Sequence, residues 1–307
     1  MNWVTPVVCA LLIGMVVAAA SEWLSARDRS ELKLPRLSRS FRWWRQLIVI
    51  ALTGILCAVL YVATMQLGCL ETDEVQPSGI GRTWRFAYHA VLLCGLILAT
   101  VVDFDCYTIP DAITVPGTLI GVMGACLIGE VQICHLWVDW SHAIPQLRGP
   151  LIPSWYDGHR FWHGLAWSFA GLATGASITW LTRFFSSRVL GQEAMGFGDV
   201  TLMAMIGSFL GWQAVTLVFL LAPLAGLTVG VLLRMLSGRT YLPYGPWLSI
   251  SALLVLLNWS HLWHQTRLIF SDGLSLVVLA GFGAAAFVAL LWMLQLYKSI
   301  PTRLHEK

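Results

Sequence analysis

Charge is what this sequence lacks. Asp, Glu, Lys and Arg make up 11% of its 307 residues, against 57% hydrophobic, where a soluble domain carries charge on about a quarter of its positions. Such a chain has too little polar material to cover a surface in water. That excludes a soluble enzyme, a nucleic-acid binder and a disordered chain, and leaves a polytopic membrane protein in contact with a lipid bilayer. The seven Cys include no C-x-x-C pair, which excludes a zinc ribbon. A disulfide between Cys69 and Cys134 stays open. The segment 131–160 carries His135, His142, His159, Asp139 and Asp157 among Trp137, Trp140 and Trp155. No two of these His stand at a ligand spacing such as i, i+4, so the segment reads as an aromatic belt at the membrane surface. Neither a metal nor another cofactor is expected.

What is abundant is apolar sequence. Nine stretches stand out, at about 4–24, 46–68, 84–102, 112–130, 161–182, 200–212, 213–235, 247–263 and 274–296, each compared with the roughly 20 residues a spanning helix needs. The fold class is therefore all-α: one integral membrane helix bundle over 1–307 with about nine transmembrane helices. The first stretch ends in Ala-Ala-Ala-Ser, as a cleaved signal peptide does. It lacks a basic start, and so reads as a retained helix. The sixth and seventh are separated only at Gly211-Trp212-Gln213, because the combined run is too long for one span. Segment 25–45 holds seven Lys and Arg, which marks it as a short basic cytoplasmic loop, puts the N-terminus outside and puts the C-terminus inside. The alternation then gives 14 basic residues inside and 5 outside, the latter including Arg85.

In so apolar a chain each carboxylate is conspicuous, since a charge at the centre of a membrane helix costs at least about 2.5 kcal/mol. Asp103 ends the third stretch in Val-Val-Asp-Phe-Asp-Cys-Tyr-Thr-Ile-Pro-Asp. Asp105 reads as a solvated carboxylate, while Pro110 and Asp111 suit the first turn of the fourth helix. Asp199 opens the sixth stretch after Gly196-Phe197-Gly198, where glycine admits unusual backbone and close approach of another segment. Non-helical backbone at membrane depth is tolerated only where it is buried or lines a water-filled cavity. The alternation puts Asp103 and Asp199 on the same side of the membrane. Two acids at one depth suggest a shared-proton dyad, one to activate water and one to donate to a carbonyl oxygen.

These residues resemble the prepilin peptidases, or type IV leader peptidases, of the GxGD-type membrane aspartic proteases. DFDCYTIPDAITVP at 103–116 is similar to the family's D-x-x-x-x-x-I-P-D-x-L-T-x-P. AMGFGDVTLMAMIGSFLGWQ at 194–213 is similar to K-M-G-x-G-D-V-K-L-x-A-x-x-G-x-x-L-G-W, and LPYGPWLSISA at 242–252 to I-P-F-G-P-F-L-x-x-x-A. The resemblance delimits a peptidase core at 84–252. It implies that Asp103 and Asp199 are the catalytic pair, supported by Gly196, Gly198, Pro110 and Asp111. It also implies cleavage of the basic leader from the N-terminal segments of type IV prepilins or pseudopilins, at the cytoplasmic face of a bacterial inner membrane. Many members insert a domain with paired C-x-x-C motifs after helix one, which accompanies N-methylation. Here 25–45 stands in its place without Cys, and no methyltransferase activity is expected. The usual Lys after the second Asp is Thr201, leaving Arg188, Arg234 and Arg239 as candidates for its charge.

Helix ends suggest how the dyad divides its proton. Asp199 begins a helix and Asp103 ends one, so Asp199 is expected to be the ionised base and Asp103 the acid. Two other classes stay in view: an ion- or proton-coupled transporter using the two Asp as a relay, and an inactive scaffold of a pilus or secretion machine. The oligomeric state is not encoded in any feature of the sequence.

Overall fold

In a computed structural model the described residues are 4–35, 38–140, 150–193, 195–237 and 243–299. They form nine helices: α1 (Val4–Glu31), α2 (Arg39–Met65), α3 (Gly79–Cys106), α4 (Asp111–Ile128), α5 (Arg160–Leu190), α6 (Phe197–Ser237), α7 (Gly245–Leu257), α8 (Trp259–Ser271) and α9 (Gly273–Ser299). The protein is a helical membrane bundle. By length and composition α1, α2, α3, α4, α6 and α9 each supply a segment able to cross a membrane. The nine apolar stretches and the nine helices do not correspond one to one. The eighth stretch is divided by Asn258 between α7 and α8, and the sixth and seventh share α6. Most of 25–45 is helical, leaving 32–38 as the connection between α1 and α2. Ser38 begins α2 by accepting the Phe41 N–H at 3.3 Å, an N-cap that a serine side chain is suited to make.

The break at Gly211 is real, and it reverses the chain. Gly211 has φ 79° and ψ 172°, a conformation closed to residues with a Cβ, and the Trp167 ring fills the place a Cβ would take. A Cβ on Gly175 would touch both Met203 O and Val215 Cγ2. Twelve residues of straight helix would separate those two by about 18 Å, so α6 doubles back at Gly211. The break leaves the Ser208 carbonyl to side chains: Tyr88 from α3 donates to it at 3.1 Å and Ser168 from α5 at 2.7 Å. Its first half is the centre of the core, with Leu202, Met203, Ile206, Phe209 and Leu210 buried.

Small residues let α5 lie against this centre. A Cβ on Gly171 would collide with the Gly207 carbonyl oxygen, and one on Gly207 with that of Gly171. Backbones that approach so closely gain packing that no larger residue allows.

At the end of the bundle where α3 begins, residues 131–140 fold into the interior. Val131, Gln132, Ile133, Cys134, His135, Val138 and Trp140 are all buried, which corrects the expected aromatic belt over this part. The reason is backbone satisfaction. Trp212 Nε1 donates to Leu136 O, Gln213 Nε2 to His135 O and Trp259 Nε1 to Ile133 O. Arg85, counted from sequence among the outer charges, is 1% exposed and donates to the carbonyls of Leu70, Glu130 and Gln132. Buried polar groups must be paired this way or cost stability. His142 lies outside the described residues. No group of three metal-ligating side chains occurs among the described residues, and Cys69 and Cys134 are both free thiols.

Replacing Gly171 by Leu is expected to prevent the α5–α6 contact. Overpacking a tight core costs about 1–3 kcal/mol or more, so the purified variant should melt several degrees below the wild type in detergent.

Candidate active site

The end of the bundle opposite Arg85 is where the conspicuous acids meet. Asp103 lies in the last turn of α3, which ends at Tyr107 in left-handed backbone, its N–H bonded to Asp103 O at 2.8 Å. Asp199 is the third residue of α6. Asp103 is 5% exposed and Asp199 7%. A single residue, Ile109, contacts both Gly245, which lies against Asp103, and Gly198, which precedes Asp199. Neither acid joins an ion pair among the described residues.

Glycine backbone lines both carboxyls. Gly245 donates its N–H to Asp103 Oδ2 at 3.0 Å, and a Cβ on Gly196 would lie 3.6 Å from Asp199 Oδ2. Gly245 is the first residue of α7 and Pro246 follows it, so its N–H is one of the orphan donors of a helix start. A Cβ there would sit 2.5 Å from Asp103 Oδ2. This contact removes the premise of the helix-end argument: Asp103 closes its own helix but faces the beginning of another, so helix ends no longer distinguish the two acids. Tyr244 stands next to this contact. Burial pushes its hydroxyl above the usual tyrosine range, and the Asp199 charge adds to the shift.

Ile109 joins the two halves of the site. A Cβ on Gly198 would lie 2.9 Å from Ile109 Cβ, and one on Gly245 would lie 2.9 Å from Ile109 Cδ1. Gly198 therefore admits the segment that leads out of α3, and both glycines close on one side chain. Pro110 lies one position earlier than expected. It caps α4 with φ −72° and ψ 134°, its carbonyl accepting from Ile113 at 3.0 Å, and Asp111 is the first helical residue. Asp111 is exposed at the helix start, where a carboxylate suits the positive end. Gly196 is exposed and precedes α6.

Asp105 is not solvated. Its side chain is 10% exposed and pairs with Arg45 of α2, which also pairs with Glu22 of α1. Arg29 donates to the Asp105 carbonyl at 2.8 Å. This network ties α1 and α2 to the turn of α3 that carries Asp103. Sequence reasoning missed Ile109, Gly245 and Arg45 as parts of the site. The first two lay within the quoted motifs, at the I-P-D and Y-G-P positions, while the spacing of Arg45 gave no signal.

A model of the type IV leader peptidase family matches residues 90–231, a span holding both Asp103 and Asp199 but not Gly245. Several proteins named prepilin leader peptidase/N-methyltransferase are similar to the chain. That of Pseudomonas putida is 28% identical over 196 residues, 63% of this chain and 57% of the relative. That of Dickeya chrysanthemi is 32% identical over 157 residues, 45% and 55%. That of Pseudomonas aeruginosa is 28% identical over 180 residues, 58% and 51%. The chain spans about half the length of the curated relatives it matches. No solved structure matches it.

Replacing Arg45 by Met would strand Asp105 at the edge of the core, while Glu22 keeps Arg42. Removing one partner of a buried pair costs about 3–5 kcal/mol, so a clear drop in melting temperature is expected. Adding Asp105→Asn should restore most of it.

Proposed function

We propose that this chain, whose residues 90–231 match a model of the type IV leader peptidase family, is a membrane-embedded aspartic endopeptidase. Its substrates are type IV prepilins or pseudopilins, and it removes their leader peptides. The observation that carries this reading is the convergence of Asp103 and Asp199, two buried carboxyls from different helices, with Gly245 at the first and Gly198 beside the second both closing on Ile109, and neither acid in an ion pair among the described residues.

Two acids at close range cannot both ionise, so the pair holds one proton between them. The ionised carboxyl takes a proton from water as that water attacks the scissile carbonyl carbon. The protonated carboxyl donates a hydrogen bond to the carbonyl oxygen as negative charge develops there. Collapse of the tetrahedral intermediate breaks the C–N bond, and the proton passes to the leaving amine. The glycines at 196, 198 and 245 leave the acids set by backbone rather than by mobile side chains. Pro110 and Asp111 fix the start of α4 beside them.

The basic residues of 25–45 support a site at the cytoplasmic face of the membrane, with the N-terminus outside, and the family match fits a bacterial inner membrane. A substrate with a basic leader, a Gly before the cleaved bond and an apolar helix entering the bilayer fits that placement. The relatives carry N-methyltransferase in their names. Here the connection between α1 and α2 is short and 25–45 contains no Cys, so the reading assigns cleavage without methylation.

Purified protein in detergent is expected to cleave a prepilin peptide after its leader. Asp103→Ala and Asp199→Ala should each lower kcat by about a thousandfold or more, the size expected when acid–base machinery is removed. Gly245→Ala, which displaces the Asp103 carboxyl, should also lose most activity. Full activity of either Asp variant would overturn the dyad. With S-adenosylmethionine present, mass spectrometry should find the new N-terminus unmethylated, and a product heavier by one methyl group would refute that part.

A further inference from the structure

Arg183 stands near the end of α5, against the segment that leads into Asp199. Its Nε–H donates to Met195 O at 3.0 Å, and Nη2 donates to Glu193 Oε1 at 3.2 Å. The guanidinium lies over the Phe197 ring, 5.9 Å from its centroid. The Glu193 side chain is 81% exposed, and an ion pair so open to water contributes little. The carbonyl contact is the informative one. Met195 O and Gly196 N belong to the same planar peptide unit, and Gly196 lies against the Asp199 carboxyl, where a Cβ would sit 3.6 Å from Oδ2. Arg183 thus holds one side of a peptide that packs against a carboxyl of the dyad.

We propose that Arg183 is a positioning residue for Asp199, acting through the Met195–Gly196 peptide unit, which it orients and polarises. The planar guanidinium carries donors arranged to serve the Met195 carbonyl and the Glu193 carboxylate together. This supplies Asp199 with cationic support at one remove, where Thr201 offers none: its hydroxyl is turned to Gly198 O at 3.0 Å. Of the arginines weighed from sequence for such a part, Arg188 lies over Phe184 of its own helix, while Arg239 falls outside the described residues. The inference rests on the peptidase reading, and the experiment separates the two.

The test uses the full chain in detergent, a prepilin peptide as probe, and the variants Arg183→Gln, Arg183→Lys and Glu193→Gln. Failure of the wild type to cleave would refute the peptidase reading itself. Given a cleaving wild type, Arg183→Gln is expected to lower kcat by about tenfold to a hundredfold, the effect of one hydrogen bond to a charged group, with KM within about twofold. Arg183→Lys should recover part of that loss, because an ammonium still reaches a carbonyl. Glu193→Gln should stay within about twofold of the wild type. Unchanged kcat in Arg183→Gln would overturn the proposal, as would a loss in Glu193→Gln equal to that in Arg183→Gln. Should Arg183→Gln not fold, the other two variants decide: Arg183→Lys must lose more kcat than Glu193→Gln, and the reverse order refutes the relay.

Discussion

Two carboxyls share a buried place in this protein, and among the described residues neither forms an ion pair with a cation. That constraint organises what surrounds them. A buried acid needs polar neighbours; the main-chain N–H of Gly245 serves Asp103, and the backbone at Gly196 lies against Asp199. Main-chain donors must be brought to the acid by whole segments of chain, so the site depends on where α6 and α7 begin. Glycine at 198 and 245 lets Ile109 close between those two helix starts. Among the described residues near this end, Arg29, Arg45 and Arg183 bind carbonyls and other acids.

The positions of those helix starts depend in turn on the hairpin of α6. Because the chain reverses at Gly211, its first half runs through the centre of the bundle with Asp199 at one end. Its second half then returns the chain toward Gly245. The crossing of Gly171 on Gly207 sets how close α5 lies to this axis, and α5 is the helix that carries Arg183. A steric requirement at three glycines is therefore felt at the acids roughly half a membrane away.

Asp103, Asp199 and the break at Gly211 were legible in the sequence because each stands out against its background. Two are acids at the edges of apolar runs, and the third is the one interruption in a run too long for a single span. The burial of 131–140 was not legible. Tryptophan and histidine near a membrane boundary look the same whether they meet headgroups or backbone carbonyls, and the partners Trp212, Gln213 and Trp259 lie far along the chain. The same holds for Asp105. As a carboxylate after a helix it reads as solvated, and only the packing of α1 and α2 against α3 supplies Arg45. The helix-end argument for acid and base lost its premise because it considered each Asp on its own helix. The donor that matters to Asp103 comes from a residue 142 positions away.

Helix α3 carries a cation near its positive end and a carboxyl near its negative end, eighteen residues and about 27 Å apart. Both charges oppose the helix's own dipole. Arg85 is reconciled by carbonyls at 70, 130 and 132, and Asp103 by the N–H of Gly245. All but one of these partners are synthesised after α3. During translation the third helix therefore enters the membrane with both ends electrically incomplete. Its first end is settled once the chain has passed residue 132, and its second only when α7 emerges. Assembly of the two acids is in this sense a late event in the life of the chain, so truncated or stalled products would hold Asp103 without its partner.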